Sequence, residues 1–326
     1  MSNTAITLMI RDYDFVSPLA CGDLAVEGID LTVDRIPIED DDISNVDQST
    51  QAAELSFGRY LIDMAGGNFD FVGIPVFACR SFRHRCFFVR KGSEIQSFKD
   101  LEGKRVGTDS WPASGNIWSR AAMREQGVAL DKIQWWEGSI DEGYAPIEKP
   151  SEISPFFPNQ ELKTLSERKL EDMLIDGELD AVMCPMPPER FYEDNSQIVR
   201  LFADFKSEEQ AYYRRTGVNP GHHIMGLRRS VFEQDPSIAT RLYTALNQAM
   251  AIWMERRLYL AETSAWVLAD IEESMAVLGR DWQPNGIKAN QKMIKTLCDE
   301  EYSQGIIAAP LDSASVFADF EKVMDT

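Results

Sequence analysis

Positive charge is scarce in this chain. Its 326 residues include 33 Lys and Arg against 53 Asp and Glu, which gives a formal net charge of −20. Nucleic acid and anionic membranes are bound by broad basic surfaces, so we expect neither as a partner. A small anion remains compatible with this charge, because salt screens distant charges over roughly 8–10 Å and a local cation cluster then dominates.

Cysteine and long apolar runs are scarce as well. The five cysteines form no CxxC pair, and we expect reduced, mostly buried thiols in a cytoplasmic protein. The first residues, MSNTAITLMIRDYD, lack the basic and then apolar pattern of a secretory signal. No apolar run approaches the ~20 residues of a membrane helix. The composition leaves formation of a homo-oligomer open.

Several common motifs are absent. There is no GxGxxG, GxxxxGK[ST], GxSxG or HExxH, so nucleotide binding and hydrolysis have no support from motifs. Only three histidines occur, at His84, His222 and His223. His222 and His223 are adjacent on a predicted strand and should face opposite sides. We expect no cofactor, although a divalent metal held by His84, one of this pair and Glu54 stays open.

The chain alternates predicted strands and helices, which favours an α/β architecture with largely parallel sheets. ITLMI, GIDLTVDRI, FDFVGIPVF, CFFVRK and HHIMGLRR read as strands, and Arg105–Thr108 as another. Helical spacing is seen over residues 50–67 and 116–126, and helices dominate from Pro236 onward. The proline-rich segment 136–160 is predicted to be a surface loop or flap. The length suggests two domains.

The positive charge that the chain does have is concentrated in one place. Before Arg80 there are three arginines against fourteen Asp and Glu, and then five cations follow within residues 80–91. Two interpretations are equally good: solvated charges at strand ends that pair with nearby carboxylates, or a receptor in which Arg80 and Arg83 hold a carboxylate. Arg90 and Lys91 are expected to be solvated.

A second anion site is conceivable between the strand at Arg105–Thr108 and the next helix. Free amides at a helix N-terminus attract anions. Simple capping of that helix by Ser110 or Ser114 is the favoured interpretation when the segment is taken alone.

Several segments together resemble one family. They are AELSFGRYL (53–61), GIPVFACRSFRHRCFFVRK (73–91), DLEGKRVGTDSW (100–111), NIWSRAAM (116–123), MLIDGELDAVMCP (173–185) and AYYRRTGVNPGHHIMGLRR (211–229). This set is similar to the 4,5-dihydroxyphthalate decarboxylase family, which itself resembles type II periplasmic binding proteins. DLEGKRVG and GELDA are typical of that fold at large, whereas PVFxxRxFRH and YYRRTGxxPxxH are typical of the decarboxylases. The resemblance covers roughly residues 6–270.

The resemblance implies two α/β lobes with a ligand cleft between them and a helical C-terminal part. Residues 1–91 and 204–326 would form the first lobe, and residues 92–203 the second. It also implies a set of residues in or near the cleft. That set is Glu54, Ser56, Arg80, Phe82, Arg83, His84, Trp111, Ser114, Trp118, Arg120 and His223.

The implied activity is cofactor-independent decarboxylation of a hydroxylated aromatic carboxylic acid, as in phthalate degradation. A small aromatic carboxylate would be the substrate, held by Arg80 and Arg83 with Arg120 assisting, between apolar walls such as Phe82 and Trp111. His84 or His223 would act as acid and base. Glu54 would orient a histidine or accept a phenolic proton, and Arg215 would belong to the hinge-side wall.

Two other hypotheses remain. One is a non-catalytic protein of the same fold that binds a small aromatic anion, as transport receptors do. The other is an enzyme similar to the thiamine-pyrimidine synthases, whose chemistry uses a lysine-bound cofactor and an iron-binding cysteine cluster. No cysteine cluster is present in this chain, so this last hypothesis is the least favoured.

Overall fold

The computed structural model describes residues 3–36, 46–142, 163–164, 168–259 and 264–324. Its strands are β1 (Thr4–Arg11), β2 (Ile29–Ile36), β3 (Ala52–Ser56), β4 (Phe71–Arg80), β5 (Phe87–Arg90), β6 (Arg105–Thr108), β7 (Gln134–Glu137), β8 (Lys163–Thr164), β9 (Ala181–Met183), β10 (Ile198–Arg200) and β11 (Gly221–Arg228). Its α-helices are α1 (Ser17–Ala20), α2 (Phe57–Ala65), α3 (Ser114–Glu125), α4 (Leu170–Ile175), α5 (Phe205–Thr216), α6 (Arg229–Gln234), α7 (Ser237–Tyr259), α8 (Val267–Leu278), α9 (Ile287–Ser303) and α10 (Ala318–Met324).

The chain divides into two compact units. Unit 1 comprises Met1–Arg80, Gly221–Ile294 and Asp312–Thr326, and unit 2 comprises Ser81–Pro220 and Lys295–Leu311. The expected boundaries at residues 91 and 204 therefore differ from the observed ones. The reason is strand pairing: β5, expected in the first lobe, pairs with β9 and β10 in the sheet of unit 2.

Unit 1 is built on a five-stranded sheet in the order β2-β1-β3-β11-β4. β1 is parallel to β2 and β3, whereas β11 runs antiparallel to β3 and β4. β4 lies at the edge, and that position tolerates Pro75, which has no amide hydrogen to donate to a neighbouring strand. Residues that precede α9 cover this edge instead, since Asn285 accepts from the Phe77 amide at 2.8 Å.

Unit 2 is built on a six-stranded sheet in the order β10-β5-β9-β6-β7-β8. β6 is parallel to both β7 and β9, and β7 is parallel to β8. β5 runs antiparallel to β9 and β10. Both sheets are thus mixed, whereas the sequence pattern predicted largely parallel ones. The antiparallel pairs arise where the chain returns from one unit to the other.

The segment 50–67 is not one helix, as the apolar spacing had predicted. Its first part forms β3, because the sheet pairs this stretch with β1 on one side and β11 on the other. Ser56 then caps α2, with its hydroxyl oxygen accepting from the Arg59 amide at 3.5 Å. Tertiary pairing has overridden the local helical pattern.

The proline-rich segment lies largely outside the described residues. Its first two residues, Trp136 and Glu137, belong to β7 rather than to a loop, and most of the rest cannot be compared with the loop prediction. Within the described ranges, no helix has both the length and the apolar character needed to cross a bilayer.

Three aromatic rings form a buried cluster in unit 1. Phe57, Phe77 and Phe317 are almost completely buried, and their ring centroids lie 5.8–6.0 Å apart. These contacts join α2, β4 and the segment before α10, which are far apart in the sequence. Contacts between buried rings contribute to the stability of unit 1.

Phe77→Ala should lower the free energy of unfolding by about 3–5 kcal/mol, because it removes a buried aromatic ring and leaves a cavity. Phe69→Ala is the matched control in the same unit, since that ring is 46% exposed. Denaturant titration followed by circular dichroism measures both. Equal losses in the two variants would contradict the assignment of this cluster to the core.

Candidate active site

Glu54 and His223 form a hydrogen-bonded pair in unit 1. They come from adjacent antiparallel strands, β3 and β11, where Glu54 lies opposite Met225 and His223 lies opposite Ser56. His223 Nδ1 is 2.5 Å from Glu54 Oε1. The Glu54 side chain is 0% exposed and that of His223 is 12% exposed. The sheet itself therefore brings together two residues that are 169 positions apart.

Two further groups donate hydrogen bonds to the Glu54 carboxylate. The Tyr13 hydroxyl donates to Oε1 at 2.7 Å and the Arg11 amide donates to Oε2 at 2.9 Å. Burial alone would raise the pKa of Glu54. The hydrogen bonds and charge of His223, followed by the bonds from Arg11 and Tyr13, outweigh burial and bring the pKa below its ordinary value of 4.5. Glu54 is therefore an anion at neutral pH.

The geometry assigns the His223 tautomer. Nδ1 donates to the carboxylate at 2.5 Å, a charge-assisted contact, whereas the Arg11 guanidinium is 3.4 Å from the same nitrogen. The contact with Glu54 is the shorter of the two, so we place the proton on Nδ1. Nε2 has no hydrogen-bond partner in the part of the chain that the structure describes. A carboxylate that fixes one imidazole nitrogen leaves the other to exchange protons.

Arg80, at the end of β4, also lies in unit 1. Its Nη2 donates to the Pro284 carbonyl at 2.7 Å and to Asn290 Oδ1 at 2.5 Å, and its guanidinium lies over the Phe77 ring. Burial lowers the pKa of Arg80 to about 10, against the attraction of Asp281. One side of this guanidinium is thus fixed by the segment that covers β4.

Arg83 has a buried guanidinium and no ion-pair partner among the described residues. It is 9% exposed, and its one hydrogen-bond contact in the described residues is with Cys86 Sγ at 3.8 Å. Glu209 acts on it electrostatically but is bonded to the Arg85 amide. A buried cation costs free energy unless a counter-charge compensates it. Its position therefore favours a receptor for an anion over the interpretation as a solvated strand-end charge.

The guanidinium of Arg83 lies against the first turn of α3. A Cβ on Gly115 would be 2.7 Å from its Cζ, which shows how close the side chain comes to the helix backbone. The N-cap position is Ala113, with no side-chain cap, so the favoured prediction of capping by Ser110 or Ser114 is wrong. The Gly115 amide has no partner among the described residues. Ser114, buried at the first helical position, and Arg83 thus share one helix N-terminus.

His84 lies in an apolar enclosure in unit 2. It is 1% exposed, and the rings of Phe98, Phe202 and Tyr212 surround it with centroids 5.3–5.9 Å away. Burial, with a contribution from Arg215, lowers the pKa of His84 to about 4. Neither ring nitrogen has a hydrogen-bond partner within the described ranges. A neutral, enclosed imidazole does not support the predicted acid–base role, and we assign His84 to packing.

Phe82 packs edge-on against Tyr212 and Tyr213, with centroids 6.2 and 6.3 Å away. Arg215 forms a two-point ion pair with Glu125 at 2.7 and 2.8 Å, so its charge is compensated at the surface of unit 2. The sequence did not predict this pairing. The pair with Glu125 gives no support to the predicted hinge-side role of Arg215.

Arg120, Trp111 and Trp118 are interior residues of unit 2. Arg120 is fully buried, donates to Gln304 Oε1 at 2.7 Å and to the Trp111 carbonyl at 2.5 Å, and stacks 3.8 Å from the Trp111 ring. Burial lowers the pKa of Arg120 to about 9, and the nearby Glu301 and Glu300 oppose that shift. These contacts join α3 to Gln304, the residue that follows α9, and the substrate-binding role of Arg120 and Trp111 stays a prediction.

The two residues that the sequence analysis missed are Arg11 and Tyr13. The motif RDYD follows directly after β1, and polar residues at the carboxyl ends of parallel strands commonly reach binding sites. This pattern in the sequence could have indicated both residues. In the described part of the chain, no three His, Cys, Asp or Glu side chains lie close enough together to hold a metal ion.

Comparison with solved structures identifies the class of fold. The chain superposes on the periplasmic aliphatic sulphonate binding protein of Escherichia coli with a TM-score of 0.54, 13% identity and coverage of 98% and 97% of the two chains. The alkanesulfonate-binding protein of Xanthomonas axonopodis gives a TM-score of 0.53 at 14% identity, covering 97% and 98%. The chain has the two-lobed α/β fold of the periplasmic binding proteins.

Sequence comparison is more specific. The chain is 27% identical to the 4,5-dihydroxyphthalate decarboxylase of Comamonas testosteroni over 97% of each chain. It is also 27% identical to that of Pseudomonas putida, over 66% of this chain and 83% of the relative. The family model NMT1/THI5 like matches residues 73–183. The resemblance inferred from the sequence motifs is thus confirmed along nearly the whole chain.

Arg120→Met should destabilise the protein by about 3 kcal/mol, because Gln304 and the Trp111 carbonyl lose their buried donor. Arg215→Met, which breaks an exposed pair in the same unit, should cost no more than about 1 kcal/mol. Thermal and denaturant unfolding compare the two. A stable Arg120→Met protein that has lost affinity for aromatic carboxylates would instead restore a substrate-binding role.

Proposed function

We propose that the protein is a cofactor-independent decarboxylase of a hydroxylated aromatic dicarboxylic acid, with 4,5-dihydroxyphthalate as the leading candidate. The similarity to two curated decarboxylases supports this reaction class. The observation that carries the proposal is the contact between the buried Glu54 anion and His223 Nδ1. It places an imidazole nitrogen in position to exchange a proton.

Loss of CO2 from an aromatic ring requires protonation of the carbon that bears the carboxylate. A ring hydroxyl ortho or para to that carbon donates electron density and makes the protonation feasible. His223 Nε2 gives its proton to the carbon, the bond to the carboxylate breaks, and its electron pair restores the aromatic ring. CO2 leaves, and His223 regains a proton from water. The net change is one proton consumed and one CO2 released.

Glu54 has a defined part in this step. A proton donor must be acidic enough to protonate carbon and must be re-formed in each cycle. The carboxylate stabilises the imidazolium that exists before transfer and keeps the remaining proton on Nδ1 afterwards.

Arg83 is the candidate carboxylate receptor within unit 2. A carboxylate bound to its guanidinium, at the first turn of α3, would compensate the buried cation and use the Gly115 amide. Strong binding of the departing carboxylate would oppose the reaction, because only interactions that strengthen in the transition state lower the barrier.

The second candidate is a non-catalytic protein that binds a small aromatic carboxylate. Two features are compatible with it: the fold shared with sulphonate-binding proteins, and a buried Arg83 that has no ion pair within the described ranges. This hypothesis gives the Glu54–His223 pair no chemical task, and we rank it second. Release of CO2 separates the two hypotheses.

His223→Gln should abolish decarboxylation while preserving substrate affinity, because an amide cannot deliver a proton. The assay follows CO2 and substrate absorbance over a panel of hydroxylated benzoates and phthalates, with calorimetry for binding. His84→Gln is the comparison, and it should retain turnover if it folds. Ligands that bind without any release of CO2 would favour the binding protein. Loss of turnover in His84→Gln alone would overturn the assignment to His223.

Gly115→Ala should weaken substrate binding by about tenfold or more, since the added Cβ displaces the Arg83 guanidinium from the helix terminus. The global fold should persist, because alanine is the better helix former. Gly66→Ala is the matched control: its Cβ would meet only ordinary contacts, 3.4 Å at the nearest. Unchanged affinity in Gly115→Ala would place the substrate carboxylate elsewhere.

A further inference from the structure

Tyr13 is the donor closest to the Glu54–His223 pair that the proposed mechanism does not use. Its hydroxyl donates to Glu54 Oε1 at 2.7 Å, the same oxygen that His223 Nδ1 contacts at 2.5 Å. The Arg11 amide occupies the other oxygen at 2.9 Å. We propose that Tyr13, together with the main chain of Arg11, is a positioning residue that keeps Glu54 ionised and correctly oriented toward His223. This inference rests on the proposed function for its consequence in catalysis.

The local fold explains how Tyr13 reaches the carboxylate. β1 ends at Arg11, and the chain then turns, with the Tyr13 amide donating to the Arg11 carbonyl at 2.7 Å. The Tyr13 ring stacks on the buried Phe15 ring at 5.4 Å with an interplanar angle of 12°. Phe15 packs in turn against Trp253 of α7. The ring is therefore held by apolar packing, and its hydroxyl is directed at Glu54.

Electrostatics allow Tyr13 to act as a permanent donor. Burial, followed by the charge of Glu54, raises the pKa of the Tyr13 hydroxyl far above its ordinary value, so it remains protonated. The other titratable or charged groups that act on it are Arg11 from β1 and Cys79 from β4. Around Glu54 they are His223 from β11, Arg11 and Tyr13 itself.

The number of hydrogen-bond donors to Glu54 determines how readily its carboxylate takes up a proton. Glu54 is fully buried, and an ionised carboxylate in that position depends on the hydrogen bonds that it accepts. Removal of the Tyr13 hydroxyl leaves His223 as the one donor to Oε1 among the described residues, so the carboxylate takes up a proton more readily. A protonated Glu54 no longer stabilises the imidazolium. The Tyr13 hydrogen bond therefore sets the lowest pH at which the coupled Glu54–His223 pair keeps its active protonation state.

Tyr13→Phe tests this role, because it removes the hydroxyl and keeps the ring that stacks on Phe15. Histidine 15N spectra report the pair directly, and the chain has only three histidines to assign. The acid-side transition sensed by His223 should occur about one pH unit higher in the variant, since a hydrogen bond to a charged group is worth somewhat more than one unit.

Activity gives the second readout. In Tyr13→Phe the acid limb of the kcat profile should move up by the same amount, with kcat at neutral pH about threefold to tenfold lower and KM within about twofold. Tyr60→Phe is the matched control in unit 1. The Tyr60 hydroxyl is also buried, but it contacts the Gly73 amide and the Val316 carbonyl, so its loss should leave both transitions unchanged.

An unchanged His223 transition in folded Tyr13→Phe would overturn the inference and reduce Tyr13 to a packing residue. If that variant does not fold, biosynthetic replacement of tyrosine by fluorotyrosine keeps the fold and makes the hydroxyl a stronger donor. The His223 transition should then move to lower pH, and a transition that does not move would again overturn the inference. Absence of turnover in the unmodified protein would refute the proposed function and leave the spectroscopic test intact.

Discussion

The arrangement of unit 1 depends on one buried anion. Glu54 has no exposed surface, and it is compatible with folding because a histidine, a tyrosine hydroxyl and a main-chain amide all donate to it. These three donors come from β11, from the turn after β1 and from the end of β1. The strand order that places β3 between β1 and β11 is therefore also what brings the donors together. The same strand order therefore determines both the fold of unit 1 and the position of the candidate site.

The two buried arginines of unit 2 show how partners decide the role of a charge. Arg120 has protein acceptors and an aromatic ring to stack on, and it connects α3 with Gln304, just after α9. Arg83 is also buried, although less completely, but it lacks an ion-pair partner among the described residues and lies against an uncapped helix N-terminus. Residue type alone does not separate the two, since both follow apolar segments in the sequence. Only the contacts do so.

Part of the fold and part of the candidate site could be predicted from the sequence. Strand β6 was predicted with its observed bounds, and the family resemblance nominated Glu54, His223 and Arg83. The helix predicted over β3 and the lobe assignment of β5 were wrong, because both depend on pairing with distant strands that local spacing does not report. His84 had the surrounding charges of a site residue, yet its three aromatic neighbours include Phe202 and Tyr212, more than 100 positions away. Tyr13 was missed because its significance lies in a hydrogen bond across the sheet.

The central claim is that His223, set by Glu54, protonates the ring carbon that loses the carboxylate. Decarboxylation of 4,5-dihydroxyphthalate in D2O tests it most directly, with kcat measured by CO2 release and the product analysed by mass spectrometry and proton NMR. The account predicts one deuteron at the vacated ring carbon and a lower kcat in D2O than in H2O on the pH-independent plateau. CO2 release at the same kcat in both solvents, or no release of CO2 at all, would contradict it.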